Sequence, residues 1–191
     1  LIEHQAAHIT LWVLNLPNTE AVSRAKRVLD GLKDGLSTDV CPDELELGRI
    51  GNFNEKVLFF EVNEGQDKRK LMSLAGLSRA VFEKEGLLEA KDNHVFSPHV
   101  TVAKLSKLKL KDKKELKKFP AAMCQELGSI HAGVCTNIVL QLCRIQGRKP
   151  GGFYPVEKEI SLVPCPLVPV KEGVAVKQEA ERKIAPVGSQ K

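Results

Sequence analysis

Two short segments of this chain place a histidine and a threonine either side of one apolar residue: His8-Ile9-Thr10 near the start and His99-Val100-Thr101, 91 residues further on. In an extended strand alternate side chains share a face. Each segment therefore offers one imidazole beside one hydroxyl, while Ile9 or Val100 turns into the core. Imidazole titrates near pH ~6.5, so two of them facing a common cleft can divide proton transfer, one neutral as general base and one protonated as general acid. Phosphoester cleavage needs that division: a water or hydroxyl gives up a proton while the leaving oxygen gains one. The hydroxyls of Thr10 and Thr101 can donate to phosphate oxygens and offset the charge that develops there. Such a site requires no metal or other cofactor, and the acidic clusters of a two-metal phosphodiesterase are absent from the sequence near either motif. A lone histidine on an apolar strand is most simply a hydrogen-bonded core residue; it is the repetition that points to chemistry. His4, His94 and His131 have no threonine partner and read as surface residues.

The motifs need strands, and the flanking sequence predicts them. His8 to Leu16 alternates, with His8, Thr10, Trp12 and Leu14 on one face and Ile9, Leu11 and Val13 on the other. Both faces are largely apolar, which predicts a central strand ended by Pro17. Asn18 or Thr19 then caps a helix whose stripe is Val22, Ala25, Leu29, Leu32 and Leu36. Glu44 to Ile50 and Lys56 to Val62 read as a hairpin around Gly51 to Glu55. Asp67 is the expected cap of a second helix carrying Leu71, Leu74, Leu77, Ser78, Val81 and Phe82, with Gly86 as its stop. A short strand at Leu87-Leu88 and a polar loop, Lys91 to His94, lead to the second motif. There Pro98, with no amide hydrogen, suits the first position of a strand on which Thr101, Ala103 and Leu105 share the His99 face. A helix near Lys111 to Leu127 and a closing hairpin, Val134 to Ile145 with Phe153 to Val163, complete the pattern. This order predicts an α+β domain, residues 1–163, with antiparallel sheets and helices outside. From Pro164 to Lys191 prolines, glycines and mixed charge predict a disordered tail.

Composition narrows the class. A chain of 191 residues, 42% hydrophobic and 28% charged, fits one soluble globular domain with a tail. No apolar run approaches the roughly 18 to 20 residues of a membrane helix, so no membrane partner is expected. Five cysteines form no CxxC pair and are odd in number, which favours reduced thiols in the cytoplasm or nucleus. The net charge of +5 is concentrated between Lys104 and Lys118, where eight lysines face Asp112 and Glu115. That stretch is a solvated face, an attractor of RNA, or a nuclear-import signal.

The two His-x-Thr motifs, each followed by apolar strand residues, and the intervening Gly48-Arg49-Ile50-Gly51-Asn52-Phe53 resemble the two-histidine (2H) phosphoesterase superfamily, which includes RNA 2′,5′-ligase-like proteins. The likeness runs from about His8 to Val163. It is strongest to the nuclear-localisation-signal-like central domain of A-kinase-anchoring proteins, on His8-Ile9-Thr10-Leu11 and on Phe96-Ser97-Pro98-His99-Val100-Thr101 through Lys107. The resemblance implies a bilobal, pseudo-two-fold α+β fold with the motifs lining a central cleft. It implies His8 and His99 as catalytic residues and Thr10 and Thr101 as phosphate ligands. Members cleave or form 2′,5′ or cyclic phosphodiester bonds in RNA and nucleotides. The anchoring-protein domain binds nucleoside monophosphates, so a nucleoside monophosphate or short RNA is the implied partner. Phe53, Phe96 and Tyr154 are candidates for stacking on a base, or else packing residues. The family domain opens with a strand and helix ahead of its first motif, whereas seven residues precede His8 here, so the first lobe is expected to be truncated. The tail lacks the amphipathic helix that docks a kinase regulatory subunit, and kinase anchoring is not expected of this chain.

The expectation is thus a metal-independent phosphodiesterase acting on 2′,5′-linked or 2′,3′-cyclic RNA and nucleotide phosphates. A binding module for AMP-like nucleotides or RNA, keeping the cleft without turnover, is the alternative. A scaffold working through the lysine stretch and tail is a third.

Overall fold

Asn18 starts the first helix, α1 (Thr19–Asp34), from an extended backbone, and its side-chain oxygen accepts the Ala21 N–H at 2.8 Å. One of the amides that a helix start leaves unpaired is thereby satisfied. Asn18→Ala should cost about 1 kcal/mol, visible as a lower urea midpoint at unchanged slope. In this computed structural model, which describes residues 6–88, 95–107, 117–147 and 152–162, α1 buries Ala21, Ala25, Leu29 and Leu32, with Val22 and Leu36 half-buried.

The predicted hairpin is β1 (Leu45–Phe53) and β2 (Val57–Val62), paired antiparallel. The second helix, α2 (Gln66–Lys84), begins without a side-chain cap, contrary to expectation for Asp67. The Asp67 carboxylate instead accepts the Asp43 N–H at 2.9 Å and ties the helix to the preceding loop. Leu71, Leu74, Ala75, Ser78 and Phe82 form its buried stripe, whereas Leu77 is exposed, because a 3.6-residue period through Leu71 and Leu74 carries position 77 outward. Gly86, at φ +67°, gives α2 a left-handed stop: its N–H reaches Glu83 O and the Leu87 N–H reaches Phe82 O, both at 2.9 Å. Leu87 and Leu88 are therefore no strand. They are buried residues of the bend that closes the helix.

After β3 (His99–Lys104) come a short 3₁₀ turn, α3 (Ala121–Leu127), β4 (Gly133–Cys135), β5 (Val139–Cys143) and β6 (Val156–Ser161). The expected last hairpin is divided. β4 pairs with β1 to complete a sheet of order β3-β2-β1-β4, while β5 pairs with β6 in a separate sheet. Asn137, at φ +54°, lies between β4 and β5 where the chain changes sheet.

Each sheet has its helix. α1 packs on β5 and β6 through Leu29, Leu32, Leu142 and Ile160, and the pairs Lys26–Glu157 and Lys158–Asp30, both 2.7 Å, bind the two together. Hydrogen bonds from Lys26 and Arg144 hold the Glu157 carboxyl below its usual range. α2 covers the larger sheet, with Leu71 against Leu45, Leu47, Val62 and Val100. The result is an α+β fold of two sheet-and-helix units.

Residues 8–16 depart from expectation in one respect: they form no strand and join no ladder. Their alternation is nonetheless used. Ile9 and Leu11 enter the core under the larger sheet, while Trp12, Leu14 and Leu16 enter the core between α1 and the smaller one. Of the segment's apolar residues, Val13, 60% exposed, belongs to neither. An alternating pattern specifies extended backbone and which face is buried, but not a partner strand. Trp12 fixes the segment instead, its indole N–H donating to Ala75 O at 3.0 Å and Ser78 Oγ at 3.1 Å on α2, under the Arg79 guanidinium.

The tail 164–191, residues 108–116 of the lysine stretch, the loop 91–94 and His4 lie outside the described residues. Among the described residues no helix is long and apolar enough to cross a membrane. Cys41, Cys135 and Cys143 carry no disulfide, and burial raises the Cys41 and Cys143 thiols, away from reactive thiolate.

Candidate functional site

His99 is the first residue of β3, reached through the buried Pro98. Its Nδ1 lies 2.7 Å from the carbonyl oxygen of Ser97. A carbonyl can only accept, so Nδ1 carries the hydrogen, and in the neutral ring Nε2 keeps its lone pair for other work. His8 is held in the same way: its Nδ1 lies 2.8 Å from the carbonyl oxygen of Ala6, again two residues back. The two motifs thus repeat a backbone device as well as a sequence pattern.

They also repeat a setting of aromatic rings. His99 meets Phe53 and Phe59 edge-on, at 5.0 and 5.1 Å between ring centres, and those two rings stack on each other at 4.2 Å. His8 meets Phe153 and Tyr154, just before β6, at 5.6 and 5.5 Å. Each hairpin, β1–β2 and β5–β6, therefore brings two rings to one histidine. Both histidines are half-buried. Thr101 is half-buried opposite Phe59 on β2, and Thr10 is exposed.

The expected strand face holds as far as Thr101. An extra residue, Val102, then interrupts the ladder, which runs Phe59↔Thr101 and next Leu58↔Ala103. This β-bulge sends Ala103, and Leu105 after it, into the core with Leu58, Ile50 and Phe119 instead of along the His99 face. What the motifs share is their middle residues: Ile9 and Val100 pack in one core cluster, together with Leu11 and Phe96. Of the three aromatic candidates, Phe53, 39% exposed, and Tyr154 lie at histidines, whereas Phe96 puts its ring against Trp12 at 5.8 Å in that core.

Gly51 makes room for this arrangement. A Cβ there would stand 2.8 Å from the Phe59 ring and 2.9 Å from Glu61 Oε1. A packed ring cannot swing aside as a flexible chain end can. Gly51→Ala should therefore destabilise the protein by about 1–3 kcal/mol through overpacking, measured by urea unfolding.

Phe59, Phe153, Glu61 and Arg49 escaped the sequence reading. Phe59 was detectable, since alternation along β2 puts it opposite the buried Leu58. The others depend on strand register and bulges that the sequence does not display. Among the described residues no group of three His, Cys, Asp or Glu side chains is placed to hold a metal ion. A concavity of about 490 Å³ between α1 and α2 is lined by Arg24, Arg27, Leu77 and Val81 among others and by no residue of either motif.

The α+β fold, with its two matching histidine settings, is that of a 2H phosphoesterase-like domain. The chain belongs to the family described as the AKAP7 2′5′ RNA ligase-like domain, which matches residues 1–162. Among individual proteins it is similar to human A-kinase anchor protein 7 isoform gamma, 28% identical over 163 residues. That match covers 84% of this chain and 47% of the relative, so the chain spans about half the relative's length.

Proposed function

We propose that this domain is a metal-independent phosphodiesterase for 2′,5′-linked or 2′,3′-cyclic phosphates of RNA and nucleotides. His8 and His99 are its general acid and base, and Thr10 and Thr101 its phosphate ligands. One observation carries the reading: both imidazoles spend Nδ1–H on a carbonyl two residues back, which leaves two Nε2 atoms for substrate. With a 2′,5′-linked substrate, one Nε2 takes the proton from the neighbouring 3′-hydroxyl as that oxygen attacks phosphorus. The other imidazole, protonated, gives its proton to the departing 5′-oxygen. A 2′,3′-cyclic phosphate and a 5′-hydroxyl result. The threonine hydroxyls donate to the non-bridging oxygens as their charge grows. Phe53 and Tyr154 stack on or border the bases; Phe96, turned to Trp12, is a packing residue.

The family supports RNA or nucleotide substrates, and the lysine stretch suits a cytoplasmic or nuclear protein that meets RNA. The test is incubation of 2′,5′-oligoadenylate with the protein in EDTA. Shortened oligomers ending in cyclic or free phosphate are the expected products. AMP binding with no cleavage of any 2′,5′ or cyclic substrate would overturn the enzyme and leave a nucleotide-binding module.

A further inference from the structure

The face of the larger sheet that presents His99 extends beyond the motif. Along β2, Phe59 and Glu61 alternate with the core residues Leu58, Phe60 and Val62, so Phe59 and Glu61 share the histidine's side. Glu61 is the register partner of His99 across the β2–β3 ladder. Both Phe59 and Glu61 lean over Gly51, which has no side chain to obstruct them. On β1 the register passes from Leu47↔Val62 to Ile50↔Phe60, leaving Gly48 and Arg49 as a bulge opposite Glu61. The Arg49 Nε donates to Glu61 Oε2 at 2.9 Å, so its side chain reaches toward this same face. Two strand spacings, about 10 Å, separate the Arg49 and His99 backbones.

A carboxylate directly beside a histidine that receives phosphate is unfavourable for an anionic ligand. Glu61 is tolerable there because Arg49 cancels its charge. Only one of the five guanidinium N–H donors goes to Glu61, and the Arg49 side chain is 70% exposed. Held at Nε, the guanidinium presents its remaining donors as a planar fork, the geometry that grips a phosphate by two hydrogen bonds. We propose that Arg49, oriented by Glu61, binds a second phosphate of the substrate, next to the one held at His99 and Thr101. The preferred ligands are then those with phosphates on both sides of one nucleoside, as in a 2′,5′-linked chain, over those with one.

This rests on the phosphate site proposed above, and the test separates the two. Adenosine 2′,5′-bisphosphate carries both phosphates and has no diester to cleave; 5′-AMP and 2′-AMP carry one each. Calorimetric titration should give a Kd for the bisphosphate roughly tenfold below that of the tighter monophosphate. In Arg49→Gln that advantage should fall to about one, with thermal melting confirming a folded protein. The double variant R49Q/E61Q should stay at about one. A restored advantage there would mean that Arg49 only cancels Glu61 and would overturn direct contact. An advantage that survives in Arg49→Gln, or none in the native protein while a monophosphate binds, would overturn the second site alone. Failure of all three ligands to bind would remove the phosphate site on which it rests.

Discussion

His99→Ala should lower the rate of 2′,5′-oligoadenylate cleavage by 10² to 10⁴, and His8→Ala by a similar factor. In the proposed mechanism each imidazole performs one of two proton transfers in the same displacement, so neither can stand in for the other. The double variant should therefore lose little more than either single one, because groups that act as a unit are not additive. The comparison is steady-state kinetics in EDTA with matched thermal melting curves. A loss of activity in step with a loss of folded protein would make the histidine structural. Undiminished turnover in either variant would refute its catalytic assignment.

Leu74→Ala should be the costliest of the single truncations considered for stability. Leu74 is 1% exposed on α2, and it packs with Cys41 and Leu162 against Leu36, Val40, Ile138 and Leu140. These neighbours come from three separate stretches of chain, around Leu36 to Cys41, Ile138 to Leu140 and Leu162, and none can collapse into the gap without moving its own element. Removal of a buried leucine side chain at such a seam costs about 2–5 kcal/mol, set against a total stability of about 5–15 kcal/mol. Urea unfolding should show a much lower midpoint at unchanged slope. Leu74→Met, which conserves volume, should cost less than about 1.5 kcal/mol. A small effect of Leu74→Ala would mean that this junction is looser than its burial indicates.

Local periodicity made much of this fold legible. The 3.6-residue stripe of α1, the β1–β2 hairpin and the Gly86 stop of α2 are each written in a few adjacent residues, and each is present. Pairing was less legible. Residues 8–16 alternate like a central strand yet join no ladder, and Val134 to Ile145 serves two sheets in place of one hairpin. Alternation reports burial on two faces, whereas hydrogen-bond partners are settled by distant backbone. The same division holds at the site. His8, His99 and the threonines stood out as candidates because their spacing repeats. The aromatic settings and Arg49 were not, because Val102 and Gly48-Arg49 are bulges whose effect on side-chain direction exists only within a ladder.

The carbonyls that hold the two imidazoles have a consequence for how this domain can vary. The acceptors belong to the backbone of Ala6 and Ser97, and every amino acid has one. Where a histidine is oriented by an aspartate, one codon change deletes the acceptor. Here no exchange of the Ala6 or Ser97 side chain can do so; the bond is lost only if the segment itself is displaced. The ring alignment is therefore insulated from point mutation at its partner positions, and drift there leaves the tautomer of each histidine intact.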